Sequence, residues 1–375
     1  MSGISRGAGW ALAGALLTLG AYGLGRPQGA AGAGGDVRPP APPRSARPAP
    51  DDKGEAVHLC SGPPPSAPRP APSAGELARA REDLGRLREA ARRGGEDRVL
   101  ALNALHEFLV AALGEGRMSP AELVEMFRSE TDAATLDVLQ GALALQPEAA
   151  EAPGVKEAFL EMARTEGPAA RRQAAVAFLG TVWDRDGRVL EGLLALARTE
   201  GAGDLCLSAL GALASYAVKN ADRSGAVQAA LLDVAARPAP EEVRQQALLS
   251  LDVRSADQAA VRRLAGFLAD ASPEVRRSAA DKLGEAPPEH RATALAALGA
   301  ALDRETEPAL RRALLDNLVR CGRSEAAEAL ERLAARCPDL RADAEEYLAL
   351  VRAGYADWDE ILDRKERLEA GRTAR

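Results

Sequence analysis

Three histidines, four cysteines and an arginine that returns at one place in a recurring pattern are the side chains here whose types and spacing could do chemistry. A histidine works as general base or metal ligand when a carboxylate or thiolate stands at ligand spacing. His58, His106 and His290 have no such neighbour, so they read as surface or satisfied histidines. Cys60, Cys206, Cys321 and Cys337 could form a disulfide set in an oxidising compartment. Cys321 and Cys337 are the tempting pair, but each should end a different helix. About 13 helical residues, roughly 19 Å, then separate them, and a disulfide needs Cα atoms within about 7 Å. Cys206 falls in another repeat, and Cys60 lies in a Pro-rich stretch open to an intermolecular bridge. The preferred reading is isolated thiols serving as small side chains.

Other catalytic signatures are missing. Gly201-Ala202-Gly203 resembles half a phosphate loop, yet no strand precedes it and the third glycine is absent, so it reads as a loop between helices. No GxSxG, HExxH or P-loop pattern occurs. Of the few aromatics, Trp183 falls in an interhelical loop and is expected to pack on the neighbouring loop. The chain carries a formal charge of −7, and residues 1–75 hold seven Arg/Lys against four Asp/Glu, which leaves −10 for the remainder. A nucleic-acid-binding surface of this size needs a strongly basic face, so nucleic acid is excluded as a partner.

The elements that must position these residues are short capped helices. In Ser272–Pro287, Ser272 is a good N-cap, Pro273 suits the first helical position and Glu274 complements the positive helix end. Val275, Ala279 and Leu283 make an apolar stripe, and Gly284 with Pro287-Pro288 stops the helix. The same triple returns at Leu310, Leu314 and Leu318, and at Leu340, Ala344 and Leu348. Upstream it appears at Val243, Ala247 and Leu251, and at Ala170, Ala174 and Phe178. Weaker copies are Leu205, Ala209 and Leu213, then Thr135, Leu139 and Leu143, then Leu100, Ala104 and Phe108. First members recur every 30 to 38 residues. A near-constant period in this range marks stacked helical hairpins, because one hairpin cannot bury its apolar face alone. Second helices are expected at Asp257–Asp270, with Val261, Leu264 and Leu268, and at Ser324–Arg336, with Ala326, Leu330 and Leu333. With only 3% aromatic residues, the core must be Leu, Val and Ala between closely approaching helices.

The pattern Pro-x-[Val/Leu]-Arg, with Arg244, Arg276, Arg311 and Arg341 after the first apolar position, resembles the HEAT repeat, particularly the short HEAT-like type of phycobilisome-lyase relatives. The resemblance spans about 100–352. It implies an all-α fold, an α-solenoid of about eight HEAT-like hairpins at 76–353, with cap helices at Ala74–Arg93 and Tyr355–Leu368 (the latter within 354–375). Cys206 replaces the arginine in the fourth copy, and the first two copies lack both Pro and Arg. In such repeats the arginine pairs with acids of adjacent loops, for which Asp270 and Asp303 are candidates, so its role is read as structural rather than as an anion ladder. Second helices in this class commonly line the concave surface. Arg263 and the i, i+4 pair Glu328 and Arg332 are therefore the candidate partner-binding residues, against the simpler reading of a solvated helix face.

Residues 1–26 contain an uncharged run, Gly7 to Gly25, flanked by Arg6 and Arg26: a signal peptide, or an N-terminal membrane anchor, the favoured reading for its length. Residues 27–75 are Pro-, Ala- and Gly-rich, an expected disordered tether with a reach on the order of 140 Å. Arginine outnumbers lysine 43 to 5, which suggests a GC-rich bacterial genome. These features point to a non-enzymatic protein-binding scaffold or adaptor of the bacterial cell envelope, at the inner membrane facing the periplasm, or in the periplasm if the leader is cleaved. No cofactor or metal is expected, and the partner is a protein. The alternatives are an accessory or regulatory subunit of an envelope enzyme complex and a lyase-like HEAT enzyme. The last would need clustered acid, base or nucleophile residues that the sequence does not supply.

Overall fold

A computed structural model describes residues 72–373, apart from 94, 96, 166, 200–202 and 356. The expected leader at 1–26, nearly all of the tether at 27–75, and His58 and Cys60 with it, lie outside the described residues. Every regular element among the described residues is helical. In chain order the helices pair as hairpins: α1 (Ala74–Arg93) with α2 (Arg98–Gly114), then α3 (Pro120–Ser129) with α4 (Ala133–Ala144). After the single turn α5 (Pro147–Ala150) come α6 (Val155–Arg164) with α7 (Ala169–Leu179), and α8 (Arg188–Ala197) with α9 (Asp204–Lys219). Next are α10 (Ser224–Ala235) with α11 (Glu241–Leu249), and α12 (Gln258–Gly266) with α13 (Pro273–Leu283). The series ends with α14 (Arg291–Arg304) and α15 (Pro308–Gly322), α16 (Ala327–Arg336) and α17 (Arg341–Arg352), and the unpaired α18 (Trp358–Thr373).

The helices stack in two layers. Layer A holds the second member of each pair, from α2 to α17, and layer B the first, from α1 to α16. Each helix touches the corresponding helix of the next hairpin, from α2 through α15 in layer A and from α3 through α14 in layer B. The A helices meet over the larger surface, so the stack is drawn together more tightly on that side.

The grouping differs from the sequence expectation by one helix. The triple-bearing helices form layer A, and each generally packs more extensively on the helix before it than on the one after it. Ala74–Arg93 is therefore the first half of the first hairpin rather than a separate cap, and its helix starts at Ala74, inside the stretch assigned to the tether.

Local chemistry explains where the helices start. Ser119 forms a capping box with Glu122 ahead of Pro120: its hydroxyl accepts the Glu122 N–H at 3.2 Å, and the Glu122 carboxylate accepts the Ser119 N–H at 2.9 Å. Ser272 accepts the Val275 N–H at 3.2 Å, as its position before Pro273 predicts. Gly154 and Gly187 begin α6 and α8 with φ of 81° and 84°, a conformation that favours glycine. Gly284 ends α13 differently from the expected stop: its backbone stays right-handed, and a Cβ there would overlap the Asn317 Oδ1 of α15. Close approach of the next A helix is what requires glycine at that site.

The apolar triples from Thr135 onward face the core: Leu139, Leu143, Ala209, Leu213, Val275, Ala279, Leu283, Leu310 and Leu318 are fully buried. The first copy is out of register. Leu100 is exposed, and α2 buries Leu105, Leu109 and Ala112 instead. Three of the five phenylalanines stack in one column, Phe127 on Phe159 with centroids 4.8 Å apart and Phe159 on Phe178 at 4.1 Å, joining α3, α6 and α7. The expected second helices are present but broken by 3-10 turns at Phe267–Ala269 and Arg323–Ala326.

Candidate partner-binding faces

The repeated arginines sit at the start of layer A helices and reach the turns on both sides. Arg244 binds Asp270 with two hydrogen bonds, 2.6 and 3.0 Å. Arg276 donates to the Asp270 carbonyl at 2.9 Å and to the Glu305 carboxylate at 2.8 Å. Arg311 repeats the arrangement, donating to the Glu305 carbonyl at 2.8 Å and to Asp339 at 2.8 Å. The result is one alternating chain, Arg244, Asp270, Arg276, Glu305, Arg311, Asp339, that ties four hairpins in register. Asp270 is the partner expected from sequence. Glu305, not Asp303, is the next, because it stands in the turn, where its other oxygen accepts the N–H of Thr306 and of Glu307. Burial pulls the Glu305 carboxyl upward, but Arg276 and those two amides outweigh it and hold its pKa below the usual range. Arg341 ends the series on the Ala334 carbonyl at 3.0 Å.

Cys206, in the arginine's place in sequence, keeps one of the contacts that Arg311 makes and none of the bonds to acids. Its thiol donates to the carbonyl of Ala197, nine residues back, at 3.4 Å, and Arg311 reaches the carbonyl of Leu302, also nine back, at 3.0 Å. Cys206, Cys321 and Cys337 are all free thiols, and burial pushes Cys321 up to about 11.

The candidates Arg263, Glu328 and Arg332 all lie in layer B, on α12 and α16, with α14 between those two helices. Arg263 is paired with Asp233 of α10 at 2.6 Å, and Arg332 with Glu328 at 2.5 Å; all four side chains are solvent-exposed. The structure does not bring Arg263 together with the other two. Their layer is also the less closely packed one, whereas the resemblance placed second helices on the concave side.

A surface that sequence reasoning missed lies at the C-terminal ends of four successive layer A helices. Leu145 follows α4, Trp183 follows α7, Val218 closes α9 and Leu249 ends α11, with exposures of 58%, 46%, 78% and 43%. Layer A helices run parallel, so these four ends fall along one edge of the stack. Small uncharged residues, Gly141, Ala177 and Ala214, lie on three of these helices, and Lys219 stands beside Val218. The signal was present in the sequence as apolar residues out of phase with the core stripe, but it resembles ordinary scatter until the helices are aligned.

The loop bearing Trp183 is rigid. Asp184 is buried and accepts the Tyr216 hydroxyl at 2.8 Å and the N–H groups of Gly187 and Leu190, both at 3.0 Å. Asn220 accepts the Asp184 N–H at 2.9 Å and donates to the Val182 carbonyl at 3.0 Å. The indole is about half exposed, with the Lys219 ammonium 5.2 Å from its centroid.

Clefts in the stack are shallow. One of about 370 Å³ is rimmed by charges, Glu151, Lys156, Glu157, Arg185 and Arg188. Another of about 500 Å³ lies between α1 and α3 and is lined by Leu84, Met118 and Met126. His106 stands beside Gly141, and His290 immediately precedes α14. No group of three or more His, Cys, Asp and Glu that could hold a metal ion occurs among the described residues.

No protein-family model matches the chain, and no curated protein is significantly similar to it. A solved structure, the X-ray structure of the Escherichia coli protein YibA, superposes with a TM-score of 0.44 at 12% identity, covering 75% of this chain and 99% of that one.

Proposed function

We propose that this chain is a non-catalytic protein-binding scaffold of the bacterial cell envelope, built as a HEAT-like α-solenoid and carried at the inner membrane by its N-terminal apolar segment and Pro-rich tether. The observation that carries the binding reading is the row Leu145, Trp183, Val218 and Leu249, large apolar side chains in water along one edge of four consecutive hairpins. Apolar area repeated on a scaffold of stacked helices supplies the anchors that an interface buries. The envelope location rests on residues 1–75 alone.

The test is crosslinked affinity purification of the full-length protein from its native membranes. Two variants run beside the parent, Val218→Asp with Leu249→Asp on layer A and Arg263→Glu with Arg332→Glu on layer B. The expected result is one envelope protein recovered with the parent and the layer B variant, and reduced at least tenfold with the layer A variant. Loss with the layer B variant alone would move the working face to layer B. No reproducible partner from any of the three would sink the scaffold reading.

A further inference from the structure

The seam between the hairpin α8–α9 and the hairpin α10–α11 lacks the bonds that tie the rest of the stack. In the C-terminal half these latches follow one rule. An arginine at the start of a layer A helix reaches the acid in the next turn, and that acid stands six residues before the next arginine, as Asp270 does before Arg276 and Glu305 before Arg311. At this seam both members are missing. Cys206 holds the arginine's position, and Pro238, six residues before Arg244, holds the acid's.

Nothing has replaced them. Among the described residues, no side-chain hydrogen bond or ion pair joins residues 188–219 to residues 224–249. Every other pair of neighbouring hairpins has at least one. On the N-terminal side Arg98 bonds Asp132, Arg171 the Glu130 carbonyl and Arg188 Glu157, and the motif arginines serve the C-terminal side. The helices also meet least here: α9 and α11 share the smallest surface of the consecutive layer A pairs between α2 and α15, and α8 and α10 the smallest of the layer B pairs between α3 and α14. The connection between the two hairpins divides sharply. Asn220 bonds Asp184 and Val182, and Arg223 donates to the Arg185 carbonyl at 3.0 Å, all in the loop before α8. Ser224, the next residue, bonds forward to Ser255 at 3.3 Å.

We propose that this seam is a hinge: the described residues up to Arg223 move as one block and those from Ser224 onward as another, pivoting where α9 touches α10. Apolar packing between helix faces holds the seam and tolerates small sliding, whereas an arginine bonded to a carboxylate through two nitrogens, as Arg244 is to Asp270, fixes both distance and direction. The apolar row straddles the pivot, with Trp183 and Val218 on one block and Leu249 on the other, so the hinge angle sets the spacing of those side chains. The hinge does not depend on that row being a binding site.

The experiment uses the full chain with its thiols left in place. Two exposed residues, Glu191 of α8 and Arg262 of α12, are replaced by p-acetylphenylalanine carrying spin labels, and their separation is read by double electron–electron resonance. A control pair, Ala229 of α10 and Ala296 of α14, also has one hairpin between its members but spans only latched seams. The distance distribution of the first pair is expected to be at least twice as wide as that of the control. Equal widths would overturn the proposal. A variant that installs the missing latch, Cys206→Arg with Pro238→Asp, is expected to narrow the first distribution to the control width. If that variant folds by circular dichroism and the width is unchanged, the proposal also falls, because the freedom then has another source. Should the variant fail to fold, the two label pairs in the parent decide alone.

Discussion

Glu130 is 1% exposed in the turn between α3 and α4, yet it keeps its charge. Burial pulls its pKa up, but the Thr131 N–H, Arg88, the Asp132 N–H and Arg92 together outweigh that and hold it below the ordinary carboxylate range. The carboxylate receives Arg88 at 3.0 Å, Arg92 at 2.8 Å and the two amides at 2.9 and 3.2 Å, and Arg171 of α7 donates to its carbonyl at 2.9 Å. A folded-state pKa below the unfolded value contributes stability that is present above the unfolded pKa and lost as the pH falls through the folded one. Glu130→Gln is therefore expected to destabilise the protein by about 2 kcal/mol at pH 7, the range for hydrogen bonds to charged groups. In urea unfolding followed across pH, the gap between variant and parent should close on acidification. A gap unchanged at low pH would show that charge is not what Glu130 supplies. At this scale the arginine positions and the Asp270 partner were legible, because the motif fixes the donor. Glu305 was not, because Asp303 stands two residues before it and only the end of α14 decides which acid falls in the turn; Glu130 was not, because its copy lacks the motif arginine that would point to it.

Helices were legible where their two sides differ. From α4 onward most layer A helices show a distinct apolar stripe, and the core follows it. Helix α2 reads RVLALNALHEFLVAALG, apolar nearly all round, so periodicity cannot choose between the rows beginning at Leu100 and Ala101. Packing of α2 against α1 and α4 makes the choice, and no local rule contains that information. The phenylalanine column is the second element-scale feature that spacing hides, since its members lie on two B helices and one A helix. Phe159, fully buried between two rings, should be the most sensitive position: Phe159→Ala is expected to cost about 3–5 kcal/mol, the range for removing a core phenylalanine. Chemical denaturation would measure it. A loss under about 1 kcal/mol would mean that the column is loosely packed and that α3, α6 and α7 are held by other contacts.

Across the whole stack, each hairpin touches mainly its neighbours, so stability is a sum of local terms rather than the property of one core. Loss of structure should then begin where neighbours are fewest. Trp183 lies in the middle of the stack, and Trp358 lies on α18 at its end. In a denaturant titration the fluorescence of a Trp183→Phe variant, dominated by Trp358 among the described tryptophans, is expected to change before helicity falls. Coincident curves would mark a single cooperative unit instead. The number of stacked units was legible from the period. Which layer packs more tightly was not, because it depends on how closely helices from different repeats approach, and small residues such as Gly284 set that distance without altering the apolar pattern.

The thiol that stands in for an arginine gives the molecule a built-in clock. Cys206 is buried against Ala197, and burial raises its pKa, so an alkylating reagent meets a protonated, covered sulfur while the hairpins are closed. Its rate of modification would therefore time the breathing of one seam in the middle of the stack, without any introduced label, and any ligand that clamps layer A would slow it.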